Sequence, residues 1–301
     1  MKQSGNLINK KVINIGHSAW KIARFLLLFG LCFLIIKPFV LKITMAFFNP
    51  DDLLDASVNI VPRNLSLYYW RVAWDGLQIS ETLLNSVLLG VLVSLAQLLS
   101  SAFVGYGLAR FRFKGHSLLF GSVIVIMLIP PQTYNLAQYL SFRYPFGQNF
   151  SLIDTLAPMF LMALFGMGFK QGLYIYLFNT FFKGLPSNLE DAALIDGAGS
   201  FRTFWSIILP NSRAVILTVL TFSFSWQWTD IIYTKQYFIN MKVLPAMVSS
   251  IYVRVGLSAD TIGSAIAQNA ACILIILPLL FLFLFSQKYL TQSIAQTGMA
   301  N

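Results

Sequence analysis

LPSNLEDAALIDGAGSFRTFWSIILPNSR, residues 185–213, lies between two long apolar runs and reads locally as two short helices joined by a turn. Ser187 and Glu190 form an S-x-x-E capping box, which predicts a helix starting just after Pro186. Leu189, Ala192 and Ala193 give that helix a small apolar face. Asp196 and Gly197 end it, because glycine tolerates the left-handed conformation at a helix exit. Phe201, Phe204, Trp205 and Ile208 then recur at three- and four-residue steps, a second amphipathic turn that Pro210 closes. The small side chains at 192 and 193 predict a surface that a partner's groove can approach closely.

Outward from this hairpin the chain is apolar. It has 301 residues, 57% hydrophobic and 11% charged, with a mean hydropathy of +0.70. Soluble proteins are nearer half apolar and a quarter charged, which excludes a soluble enzyme, and the same figures exclude disorder. A net charge of +10 in so apolar a chain marks a cytoplasmic membrane face rather than nucleic acid. Cys32 and Cys272 make neither a disulfide framework nor a metal site, and both read as packing or lipid-facing residues. His17 and His116 lie near the cytoplasmic ends of spans, with no carboxylate or cysteine cluster beside them, so no metal is expected. There is no nucleophile–base constellation and no G-x-x-x-x-G-K-[ST] phosphate loop, so the chain is expected not to be an enzyme and to hold no cofactor of its own.

A spanning helix needs about 20 mostly apolar residues. Six stretches qualify: 24–46, 82–105, 117–140, 155–182, 212–234 and 262–286. The expected fold is therefore all-α, a polytopic membrane bundle of six transmembrane helices. The first is expected to be an uncleaved anchor, since its apolar run is long and TMAFFNPDD after it offers no small-x-small cleavage site. With the N-terminus inside, cytoplasmic segments hold twelve Lys and Arg and outer segments eight, with Lys170 inside a span. That bias places both termini in the cytoplasm. Residues 1–80 then form a tail, the first span and an outer loop, 81–286 the main transmembrane domain, and 287–301 a cytoplasmic tail. Tyr68, Tyr69, Trp70 and Trp74 in the outer loop suit a short helix lying at the membrane interface, or else a docking surface for an outside partner.

Close packing between spans relies on small residues, because lipid supplies no hydrophobic drive. Ser86, Gly90 and Ser94 recur at four-residue steps, as do Ser101, Gly105 and Ala109, and Gly263, Ala267 and Ala271. The third span is broken by Pro130 and Pro131. In the fourth, Gly166, Gly168 and Gly172 surround Lys170 and Gln171, and interrupted backbone at membrane depth belongs beside protein or a water-filled cavity. The fifth carries Trp226, Gln227, Trp228 and Asp230, flat aromatic faces and hydrogen-bonding groups of the kind a sugar needs, or else an interfacial tryptophan belt. Gly166, Gly168, Lys170, Gln171, Trp226, Gln227, Trp228 and Asp230 are the expected substrate pathway.

The stretch DAALIDGAGSFRTFWSIILP resembles the EAA motif of permease subunits in binding-protein-dependent ABC importers, whose pattern is E-A-A, three residues, Gly, then I-x-L-P. Asp191, Ala192, Ala193, Gly197, Ile207, Leu209 and Pro210 fall on it, with Asp191 where glutamate is usual and Glu190 directly before it. NSVLLGVLVSLAQLLSSAFVGYGLARFRFKG from Asn85, MLIPPQ at 127–132 and the terminal LTQSIAQTGMAN look like the carbohydrate branch, of which the maltose importer is the familiar type. The resemblance covers residues 81–301. It implies the type I importer permease fold in a bacterial inner membrane and a carbohydrate substrate. It also implies a second, similar permease subunit (a heterodimer), two ATPases carrying ATP and Mg on the cytoplasmic side, and an external solute-binding protein. Glu190, Asp191, Ala192, Ala193, Asp196, Gly197, Ile207, Leu209 and Pro210 would couple to the ATPase, and residues 287–301 are a second contact candidate. Gly197→Pro or Ala193→Asp is expected to leave the protein inserted but uncoupled. An importer for an amino acid or phosphate, and an ion-driven secondary transporter using Asp230 or Asp154, are the competing expectations.

Overall fold

Within a bilayer the backbone finds no water to bond, so each apolar run must satisfy its own polar groups as a helix. The computed structural model describes residues 2–298 apart from 56, 57, 59, 255, 257, 259 and 260, and side chains within 20–288 apart from those positions, 54 and 254. The side chains of Lys2, Lys10, Lys11, His17 and Arg254, and most of the 287–301 tail, therefore lie outside the described residues. The helices are α1 (Lys2–Met45), α2 (Tyr68–Leu77), α3 (Ile79–Arg110), α4 (His116–Leu128), α5 (Asn135–Arg143), α6 (Ala157–Leu164), α7 (Gln171–Gly184) and α8 (Asn188–Ile195). They continue as α9 (Ser200–Thr203), α10 (Arg213–Thr229), α11 (Ile232–Tyr237), α12 (Leu244–Met247), α13 (Ile251–Arg254) and α14 (Ile262–Gly298). No β-strand occurs among the described residues.

Only some of the six apolar stretches are single rods. Trp20–Met45, Ile79–Arg110 and Ile262–Lys288 are unbroken helices long and apolar enough to span. The other three are interrupted, for separate reasons. Ile129, forced out of helical geometry by the proline that follows, sits at ψ 122° and ends α4. Between α6 and α7 the chain passes through left-handed conformations at Gly166 (φ 78°) and Lys170 (φ 60°). The fifth stretch does not begin at 212: Ser200–Ile208 and Pro210–Thr229 together form one apolar run with a 42° bend at the proline. At its far end the helix stops at Thr229, and α11 starts afresh.

Contacts group the chain into two units, Met1–Ala73 with Tyr252–Ile273, and Trp74–Ile251 with Leu274–Asn301. In the first, the apolar side chains of α1 from Trp20 to Val40 stand exposed, as on a helix built to face lipid. Ser66 N donates to Phe47 O at 2.9 Å, and the Phe47 and Trp70 rings lie 5.4 Å apart. Gly263 faces the Tyr69 hydroxyl, and Ala267 and Ala271 are fully buried, so the small-residue row of this span is a packing seam. Along α2, Tyr69, Ala73 and Leu77 are buried while Tyr68 and Trp74 are exposed, the two-faced helix that the aromatic spacing predicted.

In the second unit α3 is the mast, packed on α7, α10 and α6. Its small rows are where neighbours come close. A Cβ at Gly90 would stand 2.8 Å from the Phe224 ring, and one at Gly105 would stand 2.6 Å from Phe178 Cβ. Ser86 Oγ accepts from Leu244 N at 2.8 Å, tying α12 to the mast. One buried core gathers Leu98, Ala102, Tyr106, Tyr174, Phe178 and Phe182 against Phe204, Ile208, Val215 and Val219. The segment just after the hairpin turn is thereby bolted into the bundle.

Candidate functional site

The hairpin forms with the expected boundaries but by a different device. Ser187 precedes α8, yet its side chain makes no capping bond. Glu190 does not reach back to it, because Arg110 at the end of α3 takes the carboxylate: Nε donates to Oε1 at 2.9 Å, with side chains 16% and 18% exposed. Arg110 Nη2 also donates to Leu185 O at 2.9 Å. A charge-assisted bond outcompetes a neutral cap. The exit is as predicted. Gly197 (φ 75°) is left-handed, Gly197 N donates to Leu194 O at 3.0 Å, and Ala198 N donates to Ala193 O at 2.9 Å, the paired bonds of a Schellman motif.

These bonds decide which residues face outward. Ala193 is 3% exposed and packs inward, so it offers nothing to a partner; of the two alanines expected to form a docking face only Ala192 is exposed. Ile195 is 86% exposed and Leu194, Asp191 and Asp196 are exposed too. Past the turn, Phe204–Ile208 is a π-helical turn, with Leu209 N donating to Phe204 O at 2.9 Å. Phe204 stacks on Phe103 at 4.8 Å and lies 5.0 Å from Tyr106. Of the remaining motif positions, Ile207 and Leu209 are half-buried and Pro210 marks the bend. A rigid element is thus fixed to the bundle at one end and by the Arg110–Glu190 strut at the other, with an apolar and acidic tip between.

The second candidate site is the break between α6 and α7. Lys170 caps α7 in left-handed geometry, which for a residue other than glycine costs about 1–3 kcal/mol and persists only where the surroundings fix it. Its exposed ammonium lies 5.3 Å from the Phe169 ring and 5.3 Å from the Trp226 ring, close enough for cation–π attraction. Those rings meet edge-on at 5.4 Å. Lys170 and Gln171 line a cavity of about 160 Å³ with Tyr134, Met167, Gly168 and Phe169. A larger apolar cavity of about 520 Å³ shares Ile126, Ile129, Tyr134 and Met167 with it.

Behind the cavity is a buried polar network. Gln171, 1% exposed, donates from Nε2 to Ser100 Oγ at 2.6 Å, Ser101 Oγ at 2.9 Å and Gln97 O at 3.2 Å. Gln97 Nε2 donates to Phe169 O at 3.0 Å, Ser223 Oγ donates to Gln97 Oε1, and Ser100 Oγ donates to Ala163 O at 2.7 Å. These bonds satisfy backbone carbonyls that the break would otherwise orphan. Gln97, Ser100, Ser101 and Ser223 were missed from sequence. An amide inside an apolar span was the signal for Gln97; the serines look like ordinary small packing residues.

The fifth-span cluster does not act as one surface. Trp226 and Trp228 are two residues apart on a helix and point to nearly opposite sides. Trp226 is 44% exposed beside Lys170, whereas Trp228 is 2% exposed, stacks on Phe224 and donates to Ile275 O at 2.9 Å. Gln227 is buried against Met159 Sδ at 3.9 Å. Asp230 is a capping residue: its carboxylate accepts from Thr234 N at 2.9 Å and Tyr233 N at 3.3 Å at the start of α11. Asp154 likewise serves a loop, accepting from the backbone N–H of Ile239, Asn240 and Met241 at 2.8–3.0 Å. Of the expected pathway residues, Gly166, Gly168, Lys170, Gln171 and Trp226 come together, and Gln227, Trp228 and Asp230 do not.

The chain's similarity to known proteins follows the same lines. Residues 101–296 match the family described as binding-protein-dependent transport system inner membrane component. The probable starch degradation products transport system permease protein of Thermoanaerobacterium thermosulfurigenes is 27% identical over 262 residues, covering 86% of this chain and 90% of that protein. The arabinooligosaccharides transport system permease protein of Bacillus subtilis is 27% identical over 291 residues, covering 93% of this chain and 96% of its own. Among solved structures, a chain of a bacterial ABC transporter that imports the acidic polysaccharide alginate superposes with a TM-score of 0.73 at 16% identity, over 90% of this chain and 96% of that one. That likeness establishes the fold. The helical bundle with its interrupted spans and its struted hairpin belongs to the family of inner membrane components of binding-protein-dependent transport systems.

Proposed function

We propose that this multi-pass membrane protein is the permease subunit of an ATP-driven carbohydrate importer and that the hairpin at 188–197 is its coupling element. The observation that carries the reading is the geometry of that hairpin. A helix held at both ends and exposing Asp191, Ala192, Leu194 and Ile195 can transmit a push to α3 and α10 without bending. A lone helix of that length would absorb the motion instead, since short helices are marginal without tertiary support. The sugar preference draws on relatives named for the transport of starch degradation products, arabinooligosaccharides, and melibiose, raffinose and stachyose.

In this reading a second, similar permease completes a heterodimeric pathway, and two ATPases bearing ATP and Mg grip the two coupling helices from the cytoplasm. An external solute-binding protein delivers the sugar, both termini are cytoplasmic, and residues 287–301 make a further ATPase contact. ATP-driven closure of the ATPases moves the hairpin, and the cavity alternates its access. Such coupling requires contacts that differ between the two states. An ion-driven mechanism would need a carboxylate free to relay protons, and both Asp230 and Asp154 are engaged in holding backbone N–H groups.

The test is saccharide uptake by proteoliposomes holding the purified complex with its binding protein. Uptake should require internal ATP and survive a protonophore. Uptake that persists without ATP and collapses with the protonophore would reject the importer reading. A cysteine at Ile195 should cross-link to the ATPase; failure to capture any ATP-hydrolysing subunit would reject the coupling role.

A further inference from the structure

Resting on the importer reading, we infer that Gln97 is a positioning residue for transport: it relays movement of α10, which continues from the hairpin, to the break between α6 and α7. α10 leaves the hairpin through the 42° bend at Pro210, so a push on the hairpin displaces Ser223 and Trp226 with it. These two are three residues apart and share a face of the helix. Ser223, 1% exposed, donates from Oγ to Gln97 Oε1, and among the described residues no other hydrogen bond joins α10 to α3. Gln97 Nε2 donates in turn to Phe169 O at 3.0 Å, inside the break. The Phe169 ring meets Trp226 edge-on at 5.4 Å and lies 5.3 Å from the Lys170 ammonium. One amide on α3 thus holds α10 by its oxygen and the break by its nitrogen. Hydrophobic contact is non-directional, whereas a hydrogen bond weakens steeply with angle, so displacing α10 changes this link before it changes the packing.

The same amide has a second arrangement within reach. Gln171 Nε2 bonds Ser100, Ser101 and the Gln97 carbonyl, which only accepts; this fixes the Gln171 amide's orientation and leaves its Oε1 buried without a donor. That oxygen is sealed from the cavity, so its donor must come from within the protein. Gln97 Nε2 is the neighbour that can supply it. A Cβ at Gly168 would stand 2.6 Å from Gln171 Oε1 and closer still to Gln97 Nε2, so both atoms border the gap that the glycine leaves. When α10 draws Ser223 away, the Gln97 amide turns and its Nε2 leaves Phe169 O for Gln171 Oε1. The freed carbonyl takes water from the cavity of which Phe169 is a wall, and the left-handed turn at Lys170 loses its brace. The bond that Gln97 Nε2 makes to the break in one arrangement it makes to Gln171 in the other, the differential contact that a two-state coupling requires.

The test uses the whole complex, with its ATPase and binding protein, in proteoliposomes. It reads saccharide imported per ATP hydrolysed, a ratio that loss of folded protein does not change. Ser223→Ala should lower that ratio about fivefold or more, the low end of usual coupling between sites. Gln97→Leu should lower it equally, with the double variant no worse than either. A second readout follows the break itself. In a Cys32→Ser, Cys272→Ser background, Met167→Cys places a thiol at an exposed position on the cavity. ATP should change its rate of maleimide labelling about threefold or more, and Ser223→Ala should abolish that change. An unchanged import ratio in Ser223→Ala overturns the inference, whether or not Gln97→Leu folds. So does labelling at position 167 that ignores ATP when Gln97 and Ser223 are both present, or losses that simply add in the double variant. If any of these occurs while the unmodified complex shows ATP-driven uptake, the relay fails and the importer reading stands; absence of ATP-driven uptake in the unmodified complex rejects the importer reading itself.

Discussion

Replacing Arg110 by alanine tests the strut directly. Arg110 Nε and Glu190 Oε1 are 2.9 Å apart, with Arg110 Nη2 also bonded to the Leu185 carbonyl. Hydrogen bonds to charged groups contribute about 1.5–3 kcal/mol, and breaking a fully buried pair costs about 3–5 kcal/mol. With side chains 16% and 18% exposed, the pair keeps some water, which argues for the lower part of that range, about 2 kcal/mol. At roughly 1.4 kcal/mol per factor of ten, that is about a 30-fold shift of the hairpin away from its held position. The expected consequence is a fall in sugar imported per ATP hydrolysed, with ATP hydrolysis itself continuing. The assay is a double-mutant cycle in proteoliposomes over Arg110→Ala, Glu190→Ala and the double variant, reading uptake and phosphate release together. A strut predicts that the double variant is no worse than either single one, because either change removes the same interaction. If the single effects simply add, or if Arg110→Ala imports as much sugar per ATP as the unmodified protein, the strut is not what transmits the motion.

Other substitutions separate structure from coupling. Gly197→Ala should weaken the hairpin by about 1–2 kcal/mol, the cost of a left-handed residue with a Cβ, and Gly197→Pro should abolish coupled uptake, since proline cannot adopt φ 75° or keep the bond to Leu194 O; both are checked as sugar imported per ATP. Ala193→Asp, by contrast, should lower the yield of folded protein rather than merely uncouple it, because it buries a charge at a 3%-exposed position. Gly105→Ala should cost about 1–3 kcal/mol, since its Cβ would meet the fully buried Phe178 at 2.6 Å; the measurement is the thermal midpoint in detergent. For Asp154, burial alone would raise the carboxyl pKa, but hydrogen bonds from Met241, Asn240 and Ile239 outweigh it and hold it below the usual carboxylate range. Its stabilising effect is therefore full above the unfolded carboxylate pKa of about 3.9 and is lost as pH falls through the lower folded value. Asp154→Asn should lower stability at neutral pH and flatten the acid limb of a stability–pH curve, because the contribution it removes is the one lost on acidification.

Much of this molecule is local and therefore legible from the chain alone. The apolar runs, the small-residue rows at Gly90, Gly105 and Ala267, the proline break after Ile129 and the helix exit at Gly197 each follow from backbone chemistry within a few residues. The EAA-like spacing likewise marks the hairpin within the chain. What depends on residues distant in sequence could not be read that way. Glu190 looks like a cap until Arg110, 80 positions earlier, takes its carboxylate. Trp226 and Trp228 look like a pair until helical rotation sends one beside Lys170 and the other into the packing around Phe224. Lys170 is only an anomalous charge in an apolar run until the fold sets it against the rings of Phe169 and Trp226. Sequence periodicity fixes which elements form because hydrogen bonds within a helix are short-range; which side chain faces a cavity, a neighbour or solvent is settled by competition among partners that only the packed bundle brings together.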